Sequence, residues 1–362
     1  MKALIITFHF VNNFGGALQA YALQKVLEKN CCSDVQIINY RNNFIEFTDF
    51  VRLFPVSRNI AEIFSGLMTM KLRFKRVKKF ECFHITKLKL SLKKYNDLNI
   101  NFSPPKADIY ICGSDQIWNP FLTFGIRSSY FLGFVKNHGK RISYAPSFGS
   151  KTLPSIFHPI IRKYLQRFDA VSVREKSGQK IVRDLCGISA EQLIDPTFLL
   201  EKSDWEKVAV KPDIKGPYIL LYIMQSDQHM YEYARKIKER LELPVVEISR
   251  YGYRPDFIDT TIVDIGPAEF LGLFQHASYV CTNSYHGFIF SLIFEKPFCL
   301  IPSRRFRTRI YNLADLLKME IKDTTVKEAA DMIYNKDNVR KVIEAEREHA
   351  IAWLCEKIQK TG

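Results

Sequence analysis

Hydrophobic residues recur along this chain in short solid runs, separated by polar loops and by stretches with helical spacing. The first run is Ala3-Leu-Ile-Ile-Thr-Phe8, followed by Asn12, Asn13, Gly15 and Gly16. From Ala17 to Glu28 the spacing changes: Leu18, Ala22 and Val26, with Leu23 and Leu27, line one side of a helix. Val35–Tyr40 is the next apolar run. Strand, glycine turn, helix and strand predict a parallel sheet and the start of a Rossmann-like unit. Ala107–Cys112, Arg141–Ala145, Ala170–Val173 and Gln192–Ile194 read as further strands, and Lys176–Leu185 as a helix. Each strand hands over to a polar loop at its C-terminal end, where open α/β sheets bind ligands.

The pattern breaks at 201–216, which is polar and contains Pro212 and Gly216. It then restarts with strands at Tyr218–Met224, Val245–Ile248, Thr261–Val263, Tyr279–Thr282 and Phe298–Ile301. Helical spacing covers Met230–Leu241, Ala268–Phe274 and His286–Phe294. The chain of 362 residues therefore divides into two α/β domains, 1–205 and 206–362, at ~100–200 residues each. The last charged helical segment, 326–360, is placed to cross back onto the first domain.

Within the first domain, residues 58–94 stand apart. Leu72, Phe74, Val77, Phe80 and Phe83 alternate with Lys71, Arg73, Lys75, Arg76, Lys78 and Lys79. Two readings fit: a surface helix packed on its own domain, or a platform for an anionic membrane or a lipid-linked substrate. The formal net charge of +15 points the same way, toward anionic partners. Nucleic acid is not expected among them, because the basic residues are spread through α/β patterning and no nucleic-acid module is recognisable. The eight cysteines form no CxxC pair and no zinc spacing, and Cys112, Cys281 and Cys299 lie in apolar runs as buried thiols would. A reducing cytoplasm is the expected compartment. Met1–Phe10 lacks a basic region followed by a long apolar core, and no run reaches the ~18–20 apolar residues of a transmembrane helix. The protein is expected inside the cell, at most peripheral at the inner membrane face.

Five segments can carry chemistry. Asn13-Phe-Gly15-Gly16 opens the first helix and is either a tight turn or an anion or sugar site made of exposed N–H groups. It lacks the GxGxxG spacing of dinucleotide folds and the Walker pattern. Asp115, Gln116, Trp118 and Asn119 follow a strand and suit a sugar, or else pin their own loop around a buried Trp. Arg174 also follows a strand and can hold a phosphate or carboxylate, or pair with Glu175 or another neighbour. Thr282-Asn-Ser-Tyr-His286-Gly287 sets a histidine at a strand-to-helix junction, where it can exchange a proton near neutral pH. In Ser303-Arg-Arg-Phe-Arg-Thr-Arg309 no acid stands among four arginines, which fits a solvated basic loop or an anion clamp.

Taken in order, the motifs resemble the polysaccharide pyruvyltransferase family over nearly the whole chain. They are Thr7-Phe-His9 with Asn13-Phe-Gly-Gly-Ala-Leu-Gln-Ala-Tyr-Ala-Leu23, Gly113-Ser-Asp-Gln-Ile-Trp-Asn-Pro120 and Ser143-Tyr-Ala-Pro-Ser-Phe-Gly149. Ser172-Val-Arg-Glu175, Ile194-Asp-Pro-Thr197, Ser284-Tyr-His-Gly287 and Lys296-Pro-Phe298 complete the series. The resemblance implies two Rossmann-like domains facing a central cleft, similar to the GT-B glycosyltransferases. It implies phosphoenolpyruvate as donor, a sugar as acceptor and a cyclic pyruvate ketal as product. That chemistry calls for neither a cofactor nor a metal, and the basic segment and expected location fit a lipid-linked acceptor. His286 matches the position of the general acid, and Arg174 that of a donor-holding arginine. Many members carry Arg where this chain has Ser284, so Arg305, Arg307 or Arg309 is expected to supply the second donor cation. On the acceptor side the resemblance places His9, Asn13, Gly15, Gly16 and Gln19, together with Ser114, Asp115, Gln116, Trp118 and Asn119. A GT-B enzyme using a nucleotide sugar and a non-catalytic sugar-binding protein are the competing readings.

Overall fold

The computed structural model describes all residues except 52–53, 55–63, 65–66, 137–138, 225–226, 250–254, 303–306, 322–333 and 360–362. The chain separates into two compact units. The first comprises residues 1–49, 84–200 and 341–362, and the second residues 50–83 and 201–340. The basic segment thus groups with the second unit over 50–83, whereas the sequence pattern assigned it to the first.

Six parallel strands form the sheet of the first unit: β1 (Lys2–Ile6), β2 (Asp34–Ile37), β3 (Ile109–Cys112), β4 (Lys140–Ser143), β5 (Ala170–Val173) and β6 (Glu191–Gln192). Their spatial order is β2-β1-β3-β4-β5-β6. Residues of β1, β3 and β5 are buried on both faces, which explains why these strands read as solid apolar runs rather than as alternation. Helix α1 (Phe14–Asn30) follows β1, capped by Asn13, whose side chain accepts from the Gly16 N–H. Helix α2 (Asn43–Val51) follows β2, and α3 (Met70–Lys87) carries the basic stretch. Helices α4 (His158–Leu165) and α5 (Lys176–Cys186) flank β5 in sequence.

The second unit contains β7 (Ile219–Tyr222), α6 (Gln228–Leu241), β8 (Val245–Ile248), β9 (Thr260–Ile262), α7 (Pro267–His276) and β10 (Tyr279–Thr282). Helix α8 (Tyr285–Ile293), β11 (Phe298–Leu300) and α9 (Arg307–Leu316) follow. Its five parallel strands lie in the order β11-β10-β7-β8-β9. The final helix, α10 (Lys336–Gln359), is tied to the first unit: Arg347 donates to the Phe198 carbonyl at 2.7 Å, and His349 meets Glu191 at 3.0 Å.

Cys355 on α10 forms a disulfide with Cys31 at the end of α1, with Cα atoms 5.3 Å apart. The cysteine spacing gave no sign of this pairing, because the partners are 324 residues apart in sequence. Cys112, Cys281 and Cys299 are free and buried.

Both sheets are doubly wound, and each has one point where the strand order reverses: between β1 and β3 in the first unit, and between β7 and β10 in the second. The loops leaving such a pair run in opposite directions over the sheet and open a crevice at the strand C-termini.

Candidate functional site

In the first unit the quoted motifs are far apart in sequence but follow neighbouring strands. The loops after β3, β4, β5 and β6 meet at Arg174. Its guanidinium pairs with Asp195 at 2.6 Å, Glu175 at 3.3 Å and Asp115 at 3.8 Å, and all four side chains are buried. Asp195 is held in turn by the Thr197 N–H and hydroxyl, at 3.0 and 2.8 Å. The pairing that the sequence left open for Arg174 is therefore threefold. The geometry makes Arg174 the clamp of four loops.

Asp115 lies at the reversal point with a left-handed backbone, φ 71°. Its Oδ1 accepts from the Gln116 N–H, and its Oδ2 faces Gly16 in the first turn of α1. A carboxylate so placed faces the positive end of a helix. The Asn119 amide donates to Gln116 Oε1 at 2.8 Å. Gly149 closes over this pair with φ +67°, and a side chain at Gly149 would collide with both amides. Asn13 is half-buried, whereas Asp115, Gln116 and Asn119 are buried, as are Gly15 and Gly16 in the first turn of α1.

Four expected acceptor contacts are instead internal. Trp118 is fully buried, stacked on Phe131 at 4.9 Å, and its indole donates to the Tyr130 carbonyl. Its ring is part of the core and has no face left for a sugar. Gln19 is fully buried and donates to Thr7 Oγ1, the Gly16 carbonyl and the Phe8 carbonyl, which fixes the turn before α1. Ser114 is fully buried and donates to the Ala145 carbonyl. His9 is buried with its Nδ1 3.3 Å from the Thr7 carbonyl and its ring 6.5 Å from that of His84.

Burial holds both of these imidazoles neutral, pushing His9 down to about 4 and His84 to about 3. The unfolded chain takes up these protons near pH 6.5 and the folded unit resists them, so stability falls as pH drops below about 6.5. The loss should reach ~3 kcal/mol per histidine by pH 4. Glu247, discussed below, acts with the opposite sign. Melting measured from pH 8 to 4.5 checks this: His84→Gln should flatten the acid limb, and an unchanged limb would refute the assignment.

In the second unit the reversal point lies between β7 and β10, and the loop after β10 carries Asn283, Ser284 and His286. The Thr282 hydroxyl donates to the Tyr222 carbonyl at 2.6 Å and accepts from the Ser284 N–H. Asn283 Oδ1 accepts from the Met224 N–H after β7. Ser284 caps α8 by accepting from Gly287, and a side chain at Gly287 would run into the Thr282 hydroxyl. His286 thus sits in the first turn of α8, buried to 7% exposure, edge-on to the Tyr285 ring. The guanidinium of Arg309 lies 5.1 Å from the centre of the same Tyr285 ring and is 8% exposed. Arg307, two residues earlier at the start of α9, is exposed. Arg305 lies outside the described residues. Of the described arginines expected as the second cation, Arg309 lies over the same Tyr285 ring that His286 meets edge-on, and Arg307 is exposed.

Sequence reasoning missed one titratable group of this unit. Glu247 on β8 is buried, accepts from the Tyr231 hydroxyl at 3.3 Å, and is pushed up to about 7 by burial. The available signal was a lone carboxylate in the apolar run Val245–Ile248. Because its folded value is raised, Glu247 contributes stability at low pH that is lost as pH rises through about 7. Glu247→Gln should therefore hold its melting temperature better than the parent protein on the alkaline side. Among the described residues, no group of three or more His, Cys, Asp or Glu side chains is arranged to hold a metal ion.

The family model described as polysaccharide pyruvyl transferase matches residues 13–304. No functionally curated protein matches the chain at a significant level. Among solved structures, the trehalose-6-phosphate synthase OtsA is similar with a TM-score of 0.52 at 8% identity, over 100% of both chains. The S. aureus MnaA–UDP complex has a TM-score of 0.49 at 12% identity, over 97% of this chain and 91% of that one. UDP-GlcNAc 2-epimerase from Neisseria meningitidis bound to UDP-GlcNAc has a TM-score of 0.47 at 9% identity, over 100% of this chain and 95% of that one. The likeness to OtsA is one of fold alone, and the two Rossmann-like units are seen in the two parallel sheets themselves. The family match spans most of the chain and includes the loops that meet at Arg174 and the histidine after β10: this protein belongs to the polysaccharide pyruvyl transferase family.

Proposed function

We propose that the protein transfers a pyruvyl group from phosphoenolpyruvate to two hydroxyls of one sugar, forming a cyclic ketal and releasing phosphate. The observation that carries this reading is the grouping at the end of β10: His286 in the first turn of α8, with Arg309 stacked on the intervening Tyr285. Each part answers a need of the donor. A helix N-terminus presents N–H groups and positive potential to a phosphate or carboxylate. A guanidinium held in a fixed plane offers paired donors to the same groups. An imidazolium can deliver a proton near neutral pH.

In the proposed reaction His286 protonates the methylene carbon of the enol phosphate, which becomes the methyl group, and positive charge develops on the adjacent carbon. A sugar hydroxyl adds to that carbon and loses its proton. The C–O bond to phosphate then breaks, and a second hydroxyl closes the ketal. Of the two hydroxyl protons lost, one replaces the proton given by His286 and the other leaves with phosphate. Arg309 stabilises the anionic donor throughout. In the first unit Asn13, Asp115, Gln116 and Asn119 are the polar groups offered to the acceptor, with Asp115 fixed by Arg174.

The test is release of inorganic phosphate from phosphoenolpyruvate in the presence of cell-derived oligosaccharides, with carbon-13 label followed into the glycan. Acceptor-dependent release with label in a new methyl group is the expected result. Hydrolysis without transfer, or no release with any acceptor fraction, argues against the reading.

A further inference from the structure

Helix α3 has two faces in different environments. On one, Arg76 reaches the Ser249 carbonyl at 3.4 Å, Lys79 pairs with Glu269 at 2.9 Å, and Phe80 and Phe83 are buried. That face packs α3 on its own unit. The other turns outward: Lys71, Phe74, Lys75 and Lys78, at i, i+3, i+4 and i+7, are all exposed. Just before α3, Leu67 and Met68 are also exposed, at 52% and 71%, and Phe74 itself is 42% exposed. Lys75 lies 4.0 Å from Asp264, and its side chain remains 54% exposed.

A single exposed apolar side chain calls for no explanation. Three large ones beside three lysines combine the two contributions that hold a helix in the plane of a membrane interface, apolar burial and attraction to anionic lipid. We propose that this outer face of α3, together with the preceding Leu67 and Met68, docks the protein on an anionic bilayer. Leu67, Met68 and Phe74 enter the boundary between headgroups and acyl chains, and Lys71, Lys75 and Lys78 meet the lipid phosphates. The basic segment then serves both readings offered by its sequence, with Arg76 and Lys79 packing inward and the three lysines facing lipid. This inference is independent of the transfer reaction.

The experiment is co-sedimentation of the full chain with phosphatidylcholine vesicles, with and without phosphatidylglycerol. The protein should bind the anionic vesicles and leave the neutral ones. The triple substitution Lys71→Ser, Lys75→Ser, Lys78→Ser should weaken binding by about a hundredfold. Leu67→Ser with Phe74→Ser should remove the binding that survives high salt. Lys180→Ser with Lys207→Ser, which takes two exposed lysines from elsewhere, serves as the control and should change little. As a direct reading of insertion, Phe74→Trp should shift its emission to the blue on anionic vesicles and be quenched by brominated lipid. Absence of binding by the parent protein overturns the proposal. So does a lysine triple variant that binds as the parent does, since the attraction would then belong to net charge and not to this face.

Discussion

Replacing His286 with glutamine is expected to slow acceptor-dependent pyruvyl transfer by about 10²–10⁴-fold, the usual contribution of a positioned general acid. The side chain is nearly isosteric and can keep hydrogen bonds at the head of α8, but it cannot deliver a proton. Melting should therefore change little, and donor binding, proposed to rest on the helix N-terminus and Arg309, should survive. A second variant separates the two roles. Arg309→Met removes the charge, keeps the stem over Tyr285, and should raise the donor KM far more than His286→Gln does. If His286→Gln turns over at the parental rate, the proton comes from elsewhere and the assignment at the end of β10 fails.

The second large effect is expected at Arg174, as loss of the fold before loss of the reaction. Arg174→Ala leaves Asp195, Glu175 and Asp115 buried around a missing cation. Breaking a buried ion pair from one side costs ~3–5 kcal/mol, which for a unit of this size is a fall in melting temperature on the order of 10 °C. Restoring the balance should recover part of it: Arg174→Met combined with Asp195→Asn should melt above Arg174→Ala. A donor-holding arginine behaves differently, raising the donor KM with the melting temperature unchanged. Thermal denaturation of Arg174→Ala thus decides whether this residue clamps loops or contacts substrate.

Much of the architecture was legible because strands buried on both faces leave a solid apolar signature. Ala170–Val173, Val245–Ile248 and Tyr279–Thr282 have the same bounds by pattern and in the structure. Motif order and loop positions were legible for the same reason, since each polar motif begins where an apolar run stops. Partners were not legible. Nothing local tells Arg174 that Asp195, 21 residues on, and Asp115, in an earlier loop, will reach it, because their adjacency comes from strand order. Nor does composition decide which face of a loop turns inward. Trp118 and Asn119 are neighbours in sequence, yet the indole is core and the amide bonds to Gln116 within its loop. Between Arg307 and Arg309, two residues at the start of a helix separate an exposed cation from one stacked on Tyr285. The outward and inward lysines of α3 likewise differ only in helical phase.

Phosphoenolpyruvate is proposed to bind at the end of β10, at His286 and Arg309, and a thermal-shift titration tests this most directly. Ligand bound to the native state stabilises it by RT ln(1 + [L]/Kd), about 2.7 kcal/mol at ~100 times Kd. The expected result is a rise in melting temperature with phosphoenolpyruvate, absent with UDP or GDP and lost in Arg309→Ala. A rise with a nucleoside diphosphate and none with phosphoenolpyruvate would contradict it and point to a nucleotide-sugar enzyme on the same fold.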